Sequence, residues 1–269
     1  MNARREFVNK ISFFKARLIV TILKNCIAYR MSKNNLTVHQ SDERTFFLER
    51  LLSRTQFKNP THIFAPNIAV TVDVLADIED GATVVLGKCT DEAIALAESR
   101  DITLYNIMKN EKFQAVNSRL TAEGALMVMI ERSVKSISES RVLVLGFGRM
   151  GAAVAKLLSK LDIRTDIATT SSLRPAYAFA DRVIPMKKFD FKPYDIIINT
   201  VPLAVVNDAE LTTMQKGAVY IDLASKPAIN LEYAKYLGID ADIYPALPAK
   251  TCPYSAAKAM QEYISEVIK

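Results

Sequence analysis

Short apolar runs alternate with stretches of helical periodicity from residue 61 to the end of the chain. The run 61–65 (THIFA) predicts a strand closed by Pro66, and 70–76 predicts a helix that is over by Gly81. A second strand is expected over 82–86 (ATVVL), stopped by Gly87, and a third over 102–105 (ITLY). Between them, 91–99 repeats its apolar positions at helical spacing behind Thr90, whose hydroxyl suits an N-cap. This βαβαβ rhythm predicts a parallel sheet covered by helices, because parallel neighbours need a crossover. Residues 1–60 predict an early strand and a helix over 44–54.

The rhythm then restarts. A helix is expected over 121–133, capped by Thr121, with Leu126, Met127, Met129 and Ile130 forming a core-facing stripe. Strands follow at 141–145 (RVLVL), 164–168, 182–185, 194–200 (YDIIINT), 218–222 (AVYID) and 242–244. Helices are expected at 150–161, 208–214 and 231–237, with a closing helix over 254–268. The expected fold class is α/β with two Rossmann-like α/β domains, the C-terminal one doubly wound around a parallel sheet.

Composition narrows the function. A chain of 269 residues suits two domains, and 50% hydrophobic with 24% charged residues is globular rather than disordered. The three cysteines, Cys26, Cys89 and Cys252, are far apart and form no CxxC, which argues against a disulfide framework and a thiolate zinc site. With only His39 and His62, neither in a motif, no metal site is expected. The net charge of +6 is concentrated in residues 1–60, which hold 12 Lys/Arg against 4 Asp/Glu. These basic residues alternate with apolar ones, so a solvated helix face is preferred to a nucleic-acid or membrane partner. The apolar stretch 18–23 is far shorter than the roughly 20 residues of a membrane span. No clean signal peptide begins the chain, and the cytoplasm is the default compartment.

The sharpest signal is Gly146-Phe147-Gly148-Arg149-Met150-Gly151, a GxGxxG between an expected strand and an expected helix. Gly146 allows the tight turn, Gly148 lets the backbone approach a pyrophosphate, and Gly151 lets helix pack on strand. The helix N-terminus offers free N–H groups to the phosphates; Met150 stands at its start, and Arg149 is expected to touch the pyrophosphate. A dinucleotide is therefore the expected cofactor. An NAD site usually carries an acid at the end of the next strand. Here Thr169, Thr170, Ser171 and Arg174 follow Ala168 without a carboxylate, and hydroxyls with an arginine suit a 2′-phosphate, so NADP is favoured. Two further polar clusters, Asn199-Thr200-Val201-Pro202 and the turn from Asp222 to Pro227, end strands where a nicotinamide would lie.

Five segments occur in order: NSRLTAEGA (117–125), RVLVLGFGRMG (141–151), NTVP (199–202), DLASKP (222–227) and YPALPAKTCP (244–253). On these segments the chain resembles the A subunits of dipicolinate synthase from spore-forming bacteria, over roughly residues 61–269. The resemblance implies an N-terminal flavodoxin-like substrate domain (1–120), an NADP-binding Rossmann domain (121–253) with its crossing helix, and a closing helix (254–269). It implies an NADP-dependent oxidoreductase that works with a flavoprotein-like B subunit during sporulation. The product would be the calcium-chelating pyridine-2,6-dicarboxylate, made from a tetrahydrodipicolinate-type intermediate of the lysine pathway. The family's Gly-Gly-Asp-Arg-like turn near the N-terminus has no counterpart in residues 1–35.

That chemistry needs a dehydration and one two-electron oxidation of a dianionic substrate. Arg119 and Lys226 are the expected carboxylate contacts. Glu123 and Lys226 are candidates for moving the proton, although Glu123 also suits a first-turn helix-dipole role. Asn199 and Ser225 would orient substrate or carboxamide by hydrogen bonds, Thr200, Val201 and Pro202 would line the cofactor, and Thr121 is either a cap or a substrate contact. A 2-hydroxy-acid dehydrogenase is disfavoured because no histidine follows residue 62. Another NADP-dependent two-domain dehydrogenase and a non-catalytic nucleotide-binding regulator stay open, as does homo-oligomerisation.

Overall fold

Strand and helix alternate throughout the computed structural model, which describes residues 35–170, 175–186, 190–224 and 227–268. In chain order the elements are β1 (Leu36–Val38), α1 (Glu43–Leu52), β2 (Thr61–Ile63), β3 (Ala69–Val70), α2 (Val72–Ala76), β4 (Thr83–Leu86), β5 (Lys88–Cys89), α3 (Asp91–Ser99) and β6 (Thr103–Asn106). They continue with α4 (Glu111–Arg132), β7 (Val142–Leu145), α5 (Arg149–Lys160), β8 (Thr165–Thr169), β9 (Arg182–Pro185), β10 (Ile196–Asn199), α6 (Asp208–Leu211), β11 (Val219–Asp222), α7 (Leu231–Tyr236), β12 (Asp240–Ile243), α8 (Leu247–Thr251) and α9 (Pro253–Val267). The described residues form two compact units, one from 35–41, 49–107 and 264–268, the other from 42–48 and 108–263. The expectations for residues 1–34 lie outside the described residues.

The first unit carries a parallel four-stranded sheet in the order β1-β2-β4-β6. Val84 and Leu86 of β4 pack with Leu75, Ala93 and Ala97 in one buried cluster. The cap expected at Thr90 is present: its hydroxyl accepts from Ala93 N at 3.2 Å. Val70, expected to start a helix, instead pairs with Cys89 in the short parallel β3–β5 ribbon, and the helix begins at Val72.

The second unit is built on a parallel six-stranded sheet, β12-β11-β10-β7-β8-β9. β7 has no polar residue because both of its faces are covered. Val142 and Val144 pack with α4 and α5, while Leu143 and Leu145 pack with Phe191, Tyr194 and Tyr220 on the other face. The sheet is therefore doubly wound, as the pattern predicts.

The long helix corrects three expectations. It starts at Glu111 behind the N-cap Asn110, whose side chain accepts from Phe113 N at 2.8 Å. Thr121 is consequently an interior residue, 6% exposed, and its hydroxyl donates to Asn117 O at 2.8 Å. Its neighbour Glu123 lies far from the first turn, so the helix-dipole role falls away. The buried stripe is also rotated. Ala122, Ala125, Val128 and Met129 enter the core, whereas Met127 and Ile130 are exposed. Small residues won the face because α8 lies so close: a Cβ added at Gly124 would sit 2.8 Å from Leu247 Cβ. Two segments of the resemblance, NSRLTAEGA and YPALPAKTCP, thus meet as a packing pair.

Asp166, in the second position of β8, is buried at the end of the sheet opposite the glycine turn. It accepts from Arg182 at 2.9 Å, Arg141 at 3.0 Å and the Tyr194 hydroxyl at 2.8 Å. Burial alone would raise its pKa, but the hydrogen bonds and the two guanidinium charges outweigh it and hold the carboxyl below its ordinary value of 3.8. A carboxyl depressed in this way stabilises the fold above its unfolded value, and the contribution is lost as pH falls through the folded value. Asp166→Asn is expected to cost about 2 kcal/mol at neutral pH, and the gap between variant and wild type should narrow below pH 3.8. Urea unfolding at both pH values tests this; an unchanged gap would remove the ion cluster from the acid sensitivity.

Candidate dinucleotide site

Four of the five segments leave the carboxyl ends of adjacent parallel strands. RVLVLGFGRMG contains β7 and runs on from its end, NTVP begins with the last residue of β10, DLASKP begins with the last residue of β11, and YPALPAKTCP follows β12. In open α/β sheets this edge is where ligands bind.

The glycine turn has the geometry its spacing predicts. Gly146 has φ +95°, a left-handed conformation that a side chain disfavours, and a Cβ there would meet Thr200 Oγ1 at 2.6 Å. Gly151 is packed against the turn itself, since its Cβ would lie 2.1 Å from the Gly146 carbonyl oxygen. Gly148 differs from both. It caps α5 with φ −75°, open to any residue, and an added Cβ would have nothing within 4 Å. No side chain caps α5 and no acid lies in its first turn, so its first N–H groups are left available to an anion. An uncapped helix end beside a glycine facing empty space fits a dinucleotide pyrophosphate.

The neighbouring loops are braced from below. Thr200 donates through both its backbone N–H and its hydroxyl to Leu145 O, at 3.0 and 2.8 Å. Asn199, wholly buried, donates to Val201 O and to Asp222 Oδ1, both at 3.0 Å, and accepts from Val201 N at 3.0 Å. Asp222, equally buried, also accepts from Ala224 N at 2.9 Å and Ala228 N at 3.0 Å. The Tyr220 hydroxyl lies 3.4 Å from its other oxygen, and burial with this carboxylate raises that phenol well above its usual value. One buried Asn–Asp pair therefore ties NTVP to DLASKP.

The expected site residues divide by what their side chains touch. Gly146, Gly148, Met150 and Gly151 form the turn and helix start, with Thr200 and Val201 packed beside them and Pro202 exposed. Asn199 has its amide committed inside the protein, so it shapes the loops and does not reach a ligand. Thr121 is likewise turned inward. The Arg149 guanidinium binds Glu111 at 2.7 Å and Gln114 on α4, so it ties α5 to α4 instead of reaching toward a pyrophosphate. Thr169 is buried while Thr170 is exposed at the end of β8. Arg119 and Glu123 are exposed on α4, with no hydrogen bond or ion pair to another described residue. Ser171, Arg174, Ser225 and Lys226 lie outside the described residues. Asp222 carries more of the site than a member of a polar turn would. Its signal in the sequence is an acid that ends a strand before a loop of small residues.

The fold and the glycine turn are those of a Rossmann-like dinucleotide-binding domain. Residues 105–232 match the D-isomer specific 2-hydroxyacid dehydrogenase, NAD binding domain family. The chain is similar to the A subunit of dipicolinate synthase of Bacillus subtilis (strain 168), with 29% identity over 170 residues, or 61% of this chain and 57% of that protein. It thus spans a little over half the length of that relative. A weaker likeness, 25% over 126 residues, covers 45% of this chain and 37% of N(5)-(carboxyethyl)ornithine synthase of Lactococcus lactis subsp. lactis. Among solved structures, the A subunit of dipicolinate synthase from Bacillus halodurans superposes with a TM-score of 0.74 at 21% identity, covering 87% of this chain and 98% of that one.

Proposed function

We propose that the chain is the NADP-binding subunit of a dipicolinate synthase-type oxidoreductase. The observation that carries this reading is the row of four segments along one sheet edge, the same segments on which the sequence resemblance rests. The substrate would be a hydroxylated tetrahydropyridine dicarboxylate. Loss of water and then of one hydride and one proton yields pyridine-2,6-dicarboxylate. When bound, NADP supplies the two-electron acceptor for the ring hydride. The chain's part is positioning and proton chemistry. The turn from Gly146 to Gly151 and the amino end of α5 hold the pyrophosphate, and Thr170, Ser171 and Arg174 take the 2′-phosphate. Thr200, Val201 and Pro202 line the nicotinamide side. Arg119 and Lys226 bind the substrate carboxylates, Ser225 orients the ring, and Lys226 or Glu123 handles the proton. The flavoprotein-like B subunit is the expected partner, and the cytoplasm of a sporulating cell the expected place.

The test is purified chain, alone and with the flavoprotein-like partner, supplied with the tetrahydropyridine dicarboxylate and NADP. Formation of NADPH and dipicolinate is expected from the mixture. Cofactor binding without turnover in either sample would move the function to that of a nucleotide-binding regulator.

NADPH is expected to bind at least ~10-fold more tightly than NADH, the scale of one charge-assisted contact to the phosphate. Arg174→Ala should erase that selectivity and leave the unfolding midpoint unchanged. Fluorescence titration with both cofactors decides it, and equal affinities in the wild type would overturn the NADP assignment.

A further inference from the structure

The chain's only two histidines, neither of them in a motif, meet in the first unit. His39 directly follows β1, and its backbone N–H donates to Ile63 O at 2.9 Å, so it stands at the carboxyl end of that strand. Its ring lies flat on Phe64, with centroids 3.8 Å apart. His39 Nε2 is 3.1 Å from His62 Nδ1, and His62 Nε2 is 2.9 Å from a carboxylate oxygen of Glu79. Glu79 lies just beyond α2 with its side chain half exposed, while the His62 side chain is 10% exposed.

The chemistry of the three groups makes the chain directional. Glu79 as a carboxylate only accepts, so His62 must donate from Nε2. A neutral His62 then accepts at Nδ1, and His39 must donate from Nε2. The remaining nitrogen, His39 Nδ1, is left with a lone pair and has no hydrogen-bond partner among the described residues. Burial and the neighbouring His62 push the His39 pKa down to about 4, which keeps the ring neutral at physiological pH. Glu79 is held below the usual carboxyl value by its own backbone N–H and by His62, against the opposing effect of burial. The other acid near this end, Glu49 of α1, accepts from the Gln40 side chain at 2.9 Å.

We propose that His39, His62 and Glu79 form a proton relay that receives a proton from a bound ligand at His39 Nδ1 and discharges it to solvent at Glu79. The ligand is one with an exchangeable N–H or O–H, held at the carboxyl edge of the first unit's sheet. Each transfer balances. The ligand proton goes to His39 Nδ1, and the His39 Nε2 proton passes to His62 Nδ1. The His62 Nε2 proton then passes to Glu79, which returns it to water. No electrons move. The pair of a half-buried His39 and a buried His62 thus has an open acceptor at one end and a half-exposed carboxylate at the other, the two termini that a relay needs. Use of the relay in turnover rests on the oxidoreductase reading, because hydride removal from a hydroxyl- or N–H-bearing ring releases one proton beyond the one that Lys226 or Glu123 moves in the dehydration.

Two measurements on the full chain test it. On histidine, diethyl pyrocarbonate modifies only a neutral, accessible ring nitrogen, and peptide mapping by mass spectrometry separates the two histidines from each other and from other acylated side chains. Of the two histidines, only His39 is expected to carry an adduct, formed at a rate that falls less than twofold from pH 7 to pH 5. A freely titrating imidazole would lose roughly 20-fold over that range. No adduct on His39 overturns the open acceptor whatever reaction the protein performs, and an ordinary pH dependence overturns the ring's being held neutral for the relay. In the oxidation assay with the partner subunit, Glu79→Gln, a half-exposed change with a kept shape, should lower kcat about 10-fold without altering KM and shift the pH profile. His39→Gln should abolish that pH limb. Normal turnover with an unchanged profile in both variants overturns the relay and leaves the oxidoreductase reading intact. Absent turnover in the wild type, with the His39 adduct formed, overturns the oxidoreductase reading alone.

Discussion

Gly148→Val is expected to weaken dinucleotide binding by at least ~100-fold while the protein stays folded, the scale of losing close backbone approach to the pyrophosphate. The two halves of this expectation have separate grounds. Folding survives because Gly148 has φ −75°, which valine adopts, and because an added Cβ meets nothing within 4 Å. Helix capping changes by under about 1 kcal/mol, since glycine at this place contributes no side-chain bond. Binding fails because the branched side chain fills the space that only an external group uses. Gly151→Val is the contrasting control. Its Cβ would stand 2.1 Å from the backbone oxygen of Gly146, and a backbone atom has no rotamer with which to yield. That variant should lose stability before binding can be asked about. Circular dichroism, urea unfolding and NADPH titration on both proteins give the answer. Retained binding in Gly148→Val would make the turn a purely structural device.

The second large effect is expected from Asp222→Ala, which should cost about 3–5 kcal/mol of stability, as when one member of a buried charged network is removed. The carboxylate is fully buried and receives the Asn199 amide and the backbone N–H groups of Ala224 and Ala228. Alanine strands all three donors away from water and leaves a cavity. The loop after β11 loses the bonds that hold it on both sides of residues 225–226, and the loop after β10 loses its anchor through Asn199. Cofactor affinity should therefore fall as well, though less than in Gly148→Val. Asp222→Asn keeps one acceptor and should fall between wild type and alanine. Urea unfolding orders the three proteins; equal stability of alanine and wild type would mean that the loops are held by their strands alone.

Much of this molecule follows from local rules. The covered strand β7, the glycine turn and α5 are legible in the sequence because each depends on near neighbours: a fully apolar run, a left-handed residue, a residue with no room for Cβ. The cap at Thr90 is of the same kind. The start of the long helix is not legible, because Asn110, its cap, precedes a polar first turn with weak periodicity. Its buried face is hidden as well, because Met127 and Ile130 look more apolar than Ala122, Gly124 and Ala125. Only the close approach of α8 decides that small residues face inward.

What sequence by itself determined is the succession of strands and helices, the dinucleotide turn and the edge at which the polar loops emerge. The tertiary structure decided which polar side chains are structural and which are available. Asn199 meets Asp222 across 23 residues, and Arg149 meets Glu111 across 38. His39 and His62 meet across 23 as well. The two closer pairings exist only because parallel register brings distant strand ends side by side, and the third because α4 packs on α5. Spacing along the chain carries no trace of such contacts, so three residues that the sequence places at the site, Asn199, Thr121 and Arg149, are ones that packing has engaged elsewhere.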